Sequence, residues 1–300
     1  MKWIVTGGTG FIGRALVRAL EDRGDSVVVL SRNAAETRGR VRTASWTPEE
    51  RGAWMSEVDG ADVVCHLAGE PIAERRWTDA RMKKIRSSRV LSTDLVARAI
   101  AESAKKPGVF ISGSAIGIYG MRKDDAELDE NSPLGTDVLA EICHEWERAT
   151  RPAEEAGVRV VHARTGIVLG RGEGVLGKMA PAFRAFVGGP LGDGKQWESF
   201  IHIEDETRAL IHCADTNRLT GPVNLTAPNP VTMNELAAAL ARALHRPNFF
   251  RVPKIALEIA LGKMADVALT GQRVLPKKLA ESGLDFRFPG IDAALQDLLK

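Results

Sequence analysis

Short apolar runs and longer amphipathic segments take turns along the first half of the chain. Residues 3–6, Ser26–Ser31 and residues 61–67, 109–112 and 158–163 are short and nearly continuous in apolar side chains, the pattern of strands buried on both faces. Between them, Phe11–Arg23 and residues 77–104 and 139–156 place apolar side chains at helical spacing. Strands that alternate with helices in this way predict an α/β fold, a doubly wound parallel sheet covered by helices.

Beyond Gly166 the rhythm changes. Gly170, Gly172, Gly174, Gly177, Gly188, Gly189, Gly192 and Gly194 crowd a segment that reads as loops. Helical periodicity returns at Met233–Leu244, Lys254–Leu261, Lys277–Glu281 and Ile291–Leu299, which predicts a small, mostly helical C-terminal lobe.

Composition narrows the class of partner. With 44% hydrophobic and 27% charged residues among 300, the chain can bury a sizeable core. A formal net charge of +2 lacks the field of a general nucleic-acid or membrane-surface binder, so a small molecule is the expected partner. Cys65, Cys143 and Cys213 lie far apart, with no CxxC and no zinc-type spacing. They read as reduced core residues of a cytoplasmic protein, and no metal is expected. No stretch approaches the ~20 apolar residues of a membrane span.

The strongest motif is Lys-Trp-Ile-Val-Thr-Gly-Gly-Thr-Gly-Phe-Ile-Gly at residues 2–13. A strand runs into Gly7, Gly10 and Gly13 and opens a helix, the context a dinucleotide loop requires. Gly7 permits the turn, Gly10 admits a pyrophosphate and Gly13 lets helix and strand pack, while Thr9, Phe11 and Ile12 complete the loop and first helical turn. The structural alternative is a plain tight turn. At the end of the second strand, where an acid would hold a ribose 2'-hydroxyl, stand Ser31 and Arg32. They suit a 2'-phosphate, so NADP (NADPH) is the expected cofactor. Leu67, Ala68 and Gly69 end a later strand with residues that let the chain pass close to the nucleotide, whereas His66 reads as a packed core histidine. Residues 1–165 and 201–226 are thus expected to form the dinucleotide-binding domain, and 166–200 and 227–300 the substrate-side lobe.

Taken with Ser112-Gly-Ser-Ala-Ile-Gly-Ile-Tyr-Gly120 and Phe200-Ile-His-Ile-Glu-Asp205, these motifs resemble the extended short-chain dehydrogenases/reductases over essentially the whole chain. Leu67-Ala-Gly-Glu-Pro71, Arg164-Thr-Gly-Ile-Val-Leu-Gly-Arg-Gly172, residues 188–196 and Cys143-His-Glu-Trp-Glu147 are similar to the branch labelled epimerase family protein, which has a human 39U-type member. The resemblance implies an NADP(H)-binding Rossmann fold and a catalytic set of serine, tyrosine and lysine. In that set a positive charge lowers the tyrosine pKa for proton exchange while serine polarises the substrate oxygen. Ser114 fits the serine. Carried forward with Glu147 as the frame, however, the tyrosine position holds Leu139 and the lysine position Cys143.

Neither can replace its counterpart. Tyr119, the chain's one tyrosine, reads as a loop residue packed near the pocket, with a rescuing role as the alternative. Residues Leu139, Ile142, Cys143, Trp146 and Ala149 form an apolar helix face, and by analogy this helix could join a homodimer. The basic run of Arg75, Arg76, Arg81, Lys83, Lys84 and Arg86 reads as a solvated face, whereas the resemblance turns Arg89 inward to the cofactor. Glu70 and His202 are candidate proton donors beside Ser114, and Gln196 a candidate substrate ligand; each has a structural hydrogen-bonding alternative. Two functions remain open: an oxidoreductase or epimerase acting on a small polar substrate, or a catalytically silent NADP(H)-binding sensor or interaction protein, for which the labels of some relatives suggest a link to division.

Overall fold

The computed structural model describes residues 1–33 and 39–300. Seven strands, β1 (Lys2–Thr6), β2 (Ser26–Ser31), β3 (Val41–Ser45), β4 (Val63–His66), β5 (Val109–Ala115), β6 (Arg159–Thr165) and β7 (Gly221–Leu225), form one sheet. Their order is β7-β6-β5-β4-β1-β2-β3, and every pairing is parallel. From β1 the chain winds outward to β3, then returns to lay β4 on the other side of β1. That reversal opens a crevice at the C-terminal ends of β1 and β4, where α/β sheets bind ligands.

Strand period sorts the core into two layers. Trp3, Val5, Val27 and Val29 point to one face, where they meet Leu16 and Leu20 of helix α1 (Phe11–Arg23) and Leu210 and Cys213 of helix α4 (Ile203–Asp215). Ile4, Val28 and Val64 point to the other, against Val96 and Ile100 of helix α2 (Asp79–Glu102). Helix α3 (Val138–Arg148) packs against α2 and begins at Asp137, whose carboxylate accepts from the Leu139 and Ala140 N–H groups. The doubly wound α/β architecture is therefore as the sequence pattern predicts.

Three details differ. The segment 139–156 is two helices, because Pro152 cannot donate to a continuing ladder and instead sits in the first turn of a new helix, Arg151–Glu155. The glycine-rich region is not all loop: Gly174–Arg184 is helical and places Leu176, Ala180 and Phe183 in the lobe's core. Gly177 is needed there because a Cβ would strike the Gly172 backbone. Strand β3, with the half-exposed sequence Val-Arg-Thr-Ala-Ser, carries no continuous apolar signal.

The C-terminal helices lie where the periodicity places them. Helix Met233–Leu244 starts from a capping box of Thr232 and Glu235 and packs against Ile291–Leu299. The last segment also completes the sheet's edge. Glu130 Oε1 accepts from the Asn224 N–H at 3.1 Å and the Lys278 N–H at 3.2 Å, the Asn224 amide donates to the Leu275 carbonyl, and Leu279 joins the sheet's core.

Candidate functional site

The β1–α1 turn is shaped by its glycines. Gly7 has φ 69°, and a Cβ there would stand 2.8 Å from the Leu67 carbonyl carbon. A Cβ on Gly13 would collide with the Gly7 carbonyl. The Gly10 N–H closes the turn onto the Gly7 oxygen at 2.9 Å, and no side chain caps α1. The first-turn amides and the helix's positive end are thus presented to a ligand.

In front of this turn lies a cleft of about 450 Å³. Its walls bring together most of the expected cofactor residues: Gly7, Thr9 and Gly10, then Ser31 and Arg32, then Leu67, Ala68 and Gly69. Ile12 and Gly13 stand in the first turn of α1 behind it, and the Phe11 ring packs against Gly170. Arg32 is exposed, and Ser31 Oγ accepts from the Asn33 N–H at 3.3 Å. The facing wall, Trp46 to Glu50, escaped the sequence reading because it follows the unrecognised strand β3. His66 is a core residue as expected. Its Nδ1 pairs with Thr6 Oγ1 at 2.7 Å and its Nε2 with Ser92 Oγ at 3.1 Å, and burial depresses its pKa to about 3.

Behind the cleft, at the end of β5, the polar groups are engaged with one another. Ser114 Oγ donates to Glu147 Oε1 at 2.7 Å. Arg164 grips the same carboxylate through Nε at 2.8 Å and Nη2 at 2.9 Å, and its Nη1 donates to the Tyr119 hydroxyl at 3.0 Å. Tyr119 passes its own proton to Asn224 Oδ1 at 2.7 Å. Burial would raise the Glu147 pKa, but the Arg164 hydrogen bonds, with the charges of His162 and Arg164 and the Ser114 hydroxyl, hold it below the ordinary carboxylate value. Asn224 carried no local sequence signal and Arg164 only its place in a family motif, since their partners come from other strands and helices.

This arrangement corrects several expectations. A hydroxyl has one proton, and Ser114 gives its own to Glu147, so in this state it accepts from a substrate and does not polarise a carbonyl. Tyr119 is fully buried, in keeping with the packed residue the sequence suggests, and burial pushes its pKa above the ordinary value despite Arg164. Glu70 is paired with Arg81 and lies 3.6 Å from Lys84; the Arg81 hydrogen bond leads in holding its pKa below the ordinary carboxylate value. His202 caps α4, its Nδ1 accepting from the Glu204 N–H at 3.1 Å. Its Nε2 lies 3.3 Å from Asp297 and its ring stacks on Phe288, so it serves the lobe's packing. Gln196 donates to the Leu191 and Ala268 carbonyls, its structural alternative.

The basic run is partly paired: Arg86 faces Glu141 and Glu145, and Arg76 reaches the Ala260 carbonyl at 3.0 Å. Arg89 turns inward. Its Nη1 donates to the Glu70 carbonyl at 2.9 Å and the Ile85 carbonyl at 3.1 Å, and its Cζ lies 5.1 Å from the Trp146 ring centroid. Leu139, Ile142, Cys143 and Trp146 form the buried face of α3. Among the described residues there is no acidic, histidine or cysteine cluster suited to a metal, and no helix is long and apolar enough to cross a membrane.

Comparison with known proteins adds an independent line. Residues 3–225 match the profile described as the NAD dependent epimerase/dehydratase family, and residues 252–298 match a domain of unknown function, DUF1731. The chain is 38% identical over 299 residues to epimerase family protein YfhF of Bacillus subtilis, covering 100% of this chain and 98% of the relative. It is 39% identical to the Arabidopsis thaliana epimerase family protein SDR39U1 homolog, chloroplastic, covering 99% of this chain and 86% of that one. The crystal structure of human epimerase family protein SDR39U1 (isoform 2) with NADPH superposes with a TM-score of 0.89 at 32% identity, covering 100% of this chain and 99% of that one.

Proposed function

Because the chain belongs to the NAD dependent epimerase/dehydratase family, we propose that it binds NADP(H) in the cleft beside the β1–α1 turn and works as an oxidoreductase or epimerase on a small polar substrate. The observation that carries this reading is the pairing of an uncapped helix N-terminus with Ser31 and Arg32 at the end of β2. First-turn amides suit a diphosphate, and a guanidinium with an adjacent hydroxyl suits the extra phosphate of NADP. The NADPH in the human relative's structure supports the same choice. When bound, the nicotinamide supplies or accepts hydride. The chain's part is to hold the dinucleotide and to orient a substrate hydroxyl toward Ser114 Oγ, which is free to accept. Three free, buried cysteines fit a cytoplasmic setting, and a homodimer through α2 and α3 would cover Leu91, which is 53% exposed.

A second reading, a silent NADP(H) sensor, is favoured by the engaged state of Ser114, Glu147, Arg164 and Tyr119. Fluorescence titration with NADPH and NADH tests the cofactor, with NADPH expected to bind at least about tenfold tighter. No affinity for NADPH would sink the reading. A screen of NADPH oxidation across carbonyl and nucleotide-sugar substrates then separates the two functions. A saturable rate supports the enzyme, and tight binding without any rate supports the sensor.

A further inference from the structure

Eleven large apolar side chains are exposed among the described residues, and six of them belong to two stretches of the C-terminal lobe: Phe186, Val187, Phe249, Phe250, Ile255 and Ile259. The two stretches are laid against each other. The Val252 N–H donates to the Pro190 carbonyl at 3.0 Å, a Cβ on Gly189 would run into the Phe250 carbonyl oxygen, and the Arg246 guanidinium carbon lies 4.5 Å from the Phe186 ring centroid. Exposed apolar residues scattered singly are ordinary, but a group of this size marks a surface that meets something.

Helix α5 (Lys254–Leu261) gives that surface its shape. Six of its eight side chains are apolar, yet only Leu257 is buried, whereas a helix with so little polar surface is normally covered on most sides. Ile255 and Ile259, one turn apart, are 69% and 70% exposed and form an outward ridge. Arg76 holds the helix in place by donating to the Ile259 and Ala260 carbonyls, which ties its end to the loop after β4. Beside the ridge runs an ion pair, Lys254 Nζ to Glu258 Oε1 at 3.4 Å. That pair selects the occupant. On a bilayer surface the Glu258 carboxylate would meet anionic head groups and acyl chains, both unfavourable to it. A second copy of the chain answers every group at once. About a twofold axis crossing the middle of α5, two such helices run antiparallel, so that Ile255 comes to the partner's Ile259 and Lys254 to the partner's Glu258, each contact occurring twice. Charges then flank an apolar centre, as in stable interfaces.

We propose that α5, with Phe186, Val187, Phe249 and Phe250 beside it, is an interface between two copies of this chain, packed antiparallel along α5. It is separate from a contact through α2 and α3, where Leu91 and Val138 are the exposed large apolar side chains. It does not rest on the NADP(H) reading above.

The test is sedimentation velocity of the full chain over a dilution series, without cofactor, for the wild type, Ile255→Asp/Ile259→Asp, Leu91→Asp, Lys254→Glu and Glu258→Lys. The wild type should sediment as a dimer or a larger assembly. Ile255→Asp/Ile259→Asp should weaken self-association by at least about a hundredfold, because carboxylates would be buried at the centre of the contact. Leu91→Asp should leave species no smaller than a dimer. Lys254→Glu and Glu258→Lys should each weaken association by about tenfold by setting like charges together, and an equimolar mixture of the two should recover it. Damage to the fold cannot produce that recovery, so the mixture decides even if the isoleucine variant does not fold. A monomeric wild type, assemblies unchanged by Ile255→Asp/Ile259→Asp, monomers in Leu91→Asp, or no recovery in the mixture overturns the proposal. So does a monomeric wild type that binds phosphatidylglycerol vesicles through the two isoleucines, which would give the face to a membrane.

Discussion

Two regions of this molecule sit side by side at the C-terminal edge of the sheet and treat their polar groups in opposite ways. Around the β1–α1 turn, backbone amides, Ser31 and Arg32 face a cleft. Around the end of β5, Ser114, Tyr119, Glu147, Arg164 and Asn224 are tied to one another by hydrogen bonds in the interior. The first arrangement costs the folded chain exposed polar surface and reserves binding capacity for a ligand. The second joins strands and α3 rigidly, because a buried polar network is stable only when every member is satisfied. Retention of a cofactor site therefore need not imply retention of the acid–base machinery next to it.

The largest expected effect falls on the closed region. Glu147→Ala would leave Arg164 buried without its carboxylate and should lower stability by about 3–5 kcal/mol in chemical denaturation. NADPH affinity of the folded fraction should barely change; a variant of normal stability with lost affinity would invert the contrast. Comparable in size is a pH effect with two signs. Glu206 is buried under the end of β6, where its carboxyl accepts from Thr165 Oγ1 and burial pushes its pKa up to about 8. Its raised pKa contributes stability that is complete below the ordinary 4.5 and is lost as pH rises toward about 8. Glu206→Gln should remove that slope, a difference on the order of 5 kcal/mol between the two ends.

Glu147, held below the ordinary 4.5, acts in reverse: its contribution is present above that pH and lost as pH falls through its lowered value. Unfolding curves of the wild type and Glu206→Gln measured from pH 4 to pH 9 would show whether the slopes diverge.

Smaller effects are expected in the open cleft. Arg32→Ala should weaken NADPH binding by about tenfold to a hundredfold, leave NADH binding and the melting temperature unchanged, and so mark a residue kept for the ligand. Equal losses for both dinucleotides would place Arg32 outside the 2'-phosphate contact. Smallest is Ser114→Ala, which removes one hydrogen bond from the ionised Glu147 and should cost about 1.5 kcal/mol. A much larger loss would show that the network hangs on this hydroxyl and not on the Arg164 fork.

The same contrast explains what could be read from the sequence. The glycine loop, α1 and the C-terminal helices are local patterns, in which each residue's partner lies within one or two turns, so spacing alone reveals them. Strands β3 and β7 are edge strands, one half-exposed and the other opening with Gly221 and Pro222, and edges lack the continuous apolar signature of the sheet's centre. The state of Ser114 was illegible for a different reason. Its proton goes to Glu147, whose charge is held by Arg164 on β6; Arg164 donates in turn to Tyr119, and Tyr119 to Asn224 on β7. No spacing rule links those positions. The absence of tyrosine and lysine at Leu139 and Cys143 was plain in the sequence, but that the Arg89 guanidinium rests on the Trp146 ring of α3 required the coordinates.

The edge of the sheet also bears on how the protein is made. Strand β7 obtains the partner for its Asn224 amide from Leu275, and the Glu130 carboxylate that receives its backbone N–H is itself shared with Lys278. On the ribosome, the N-terminal strands can pair early, yet this margin cannot settle until Leu275 and Lys278 have also left the exit tunnel. Emergence of that later segment, and not synthesis of β7, is then the event that seals the sheet.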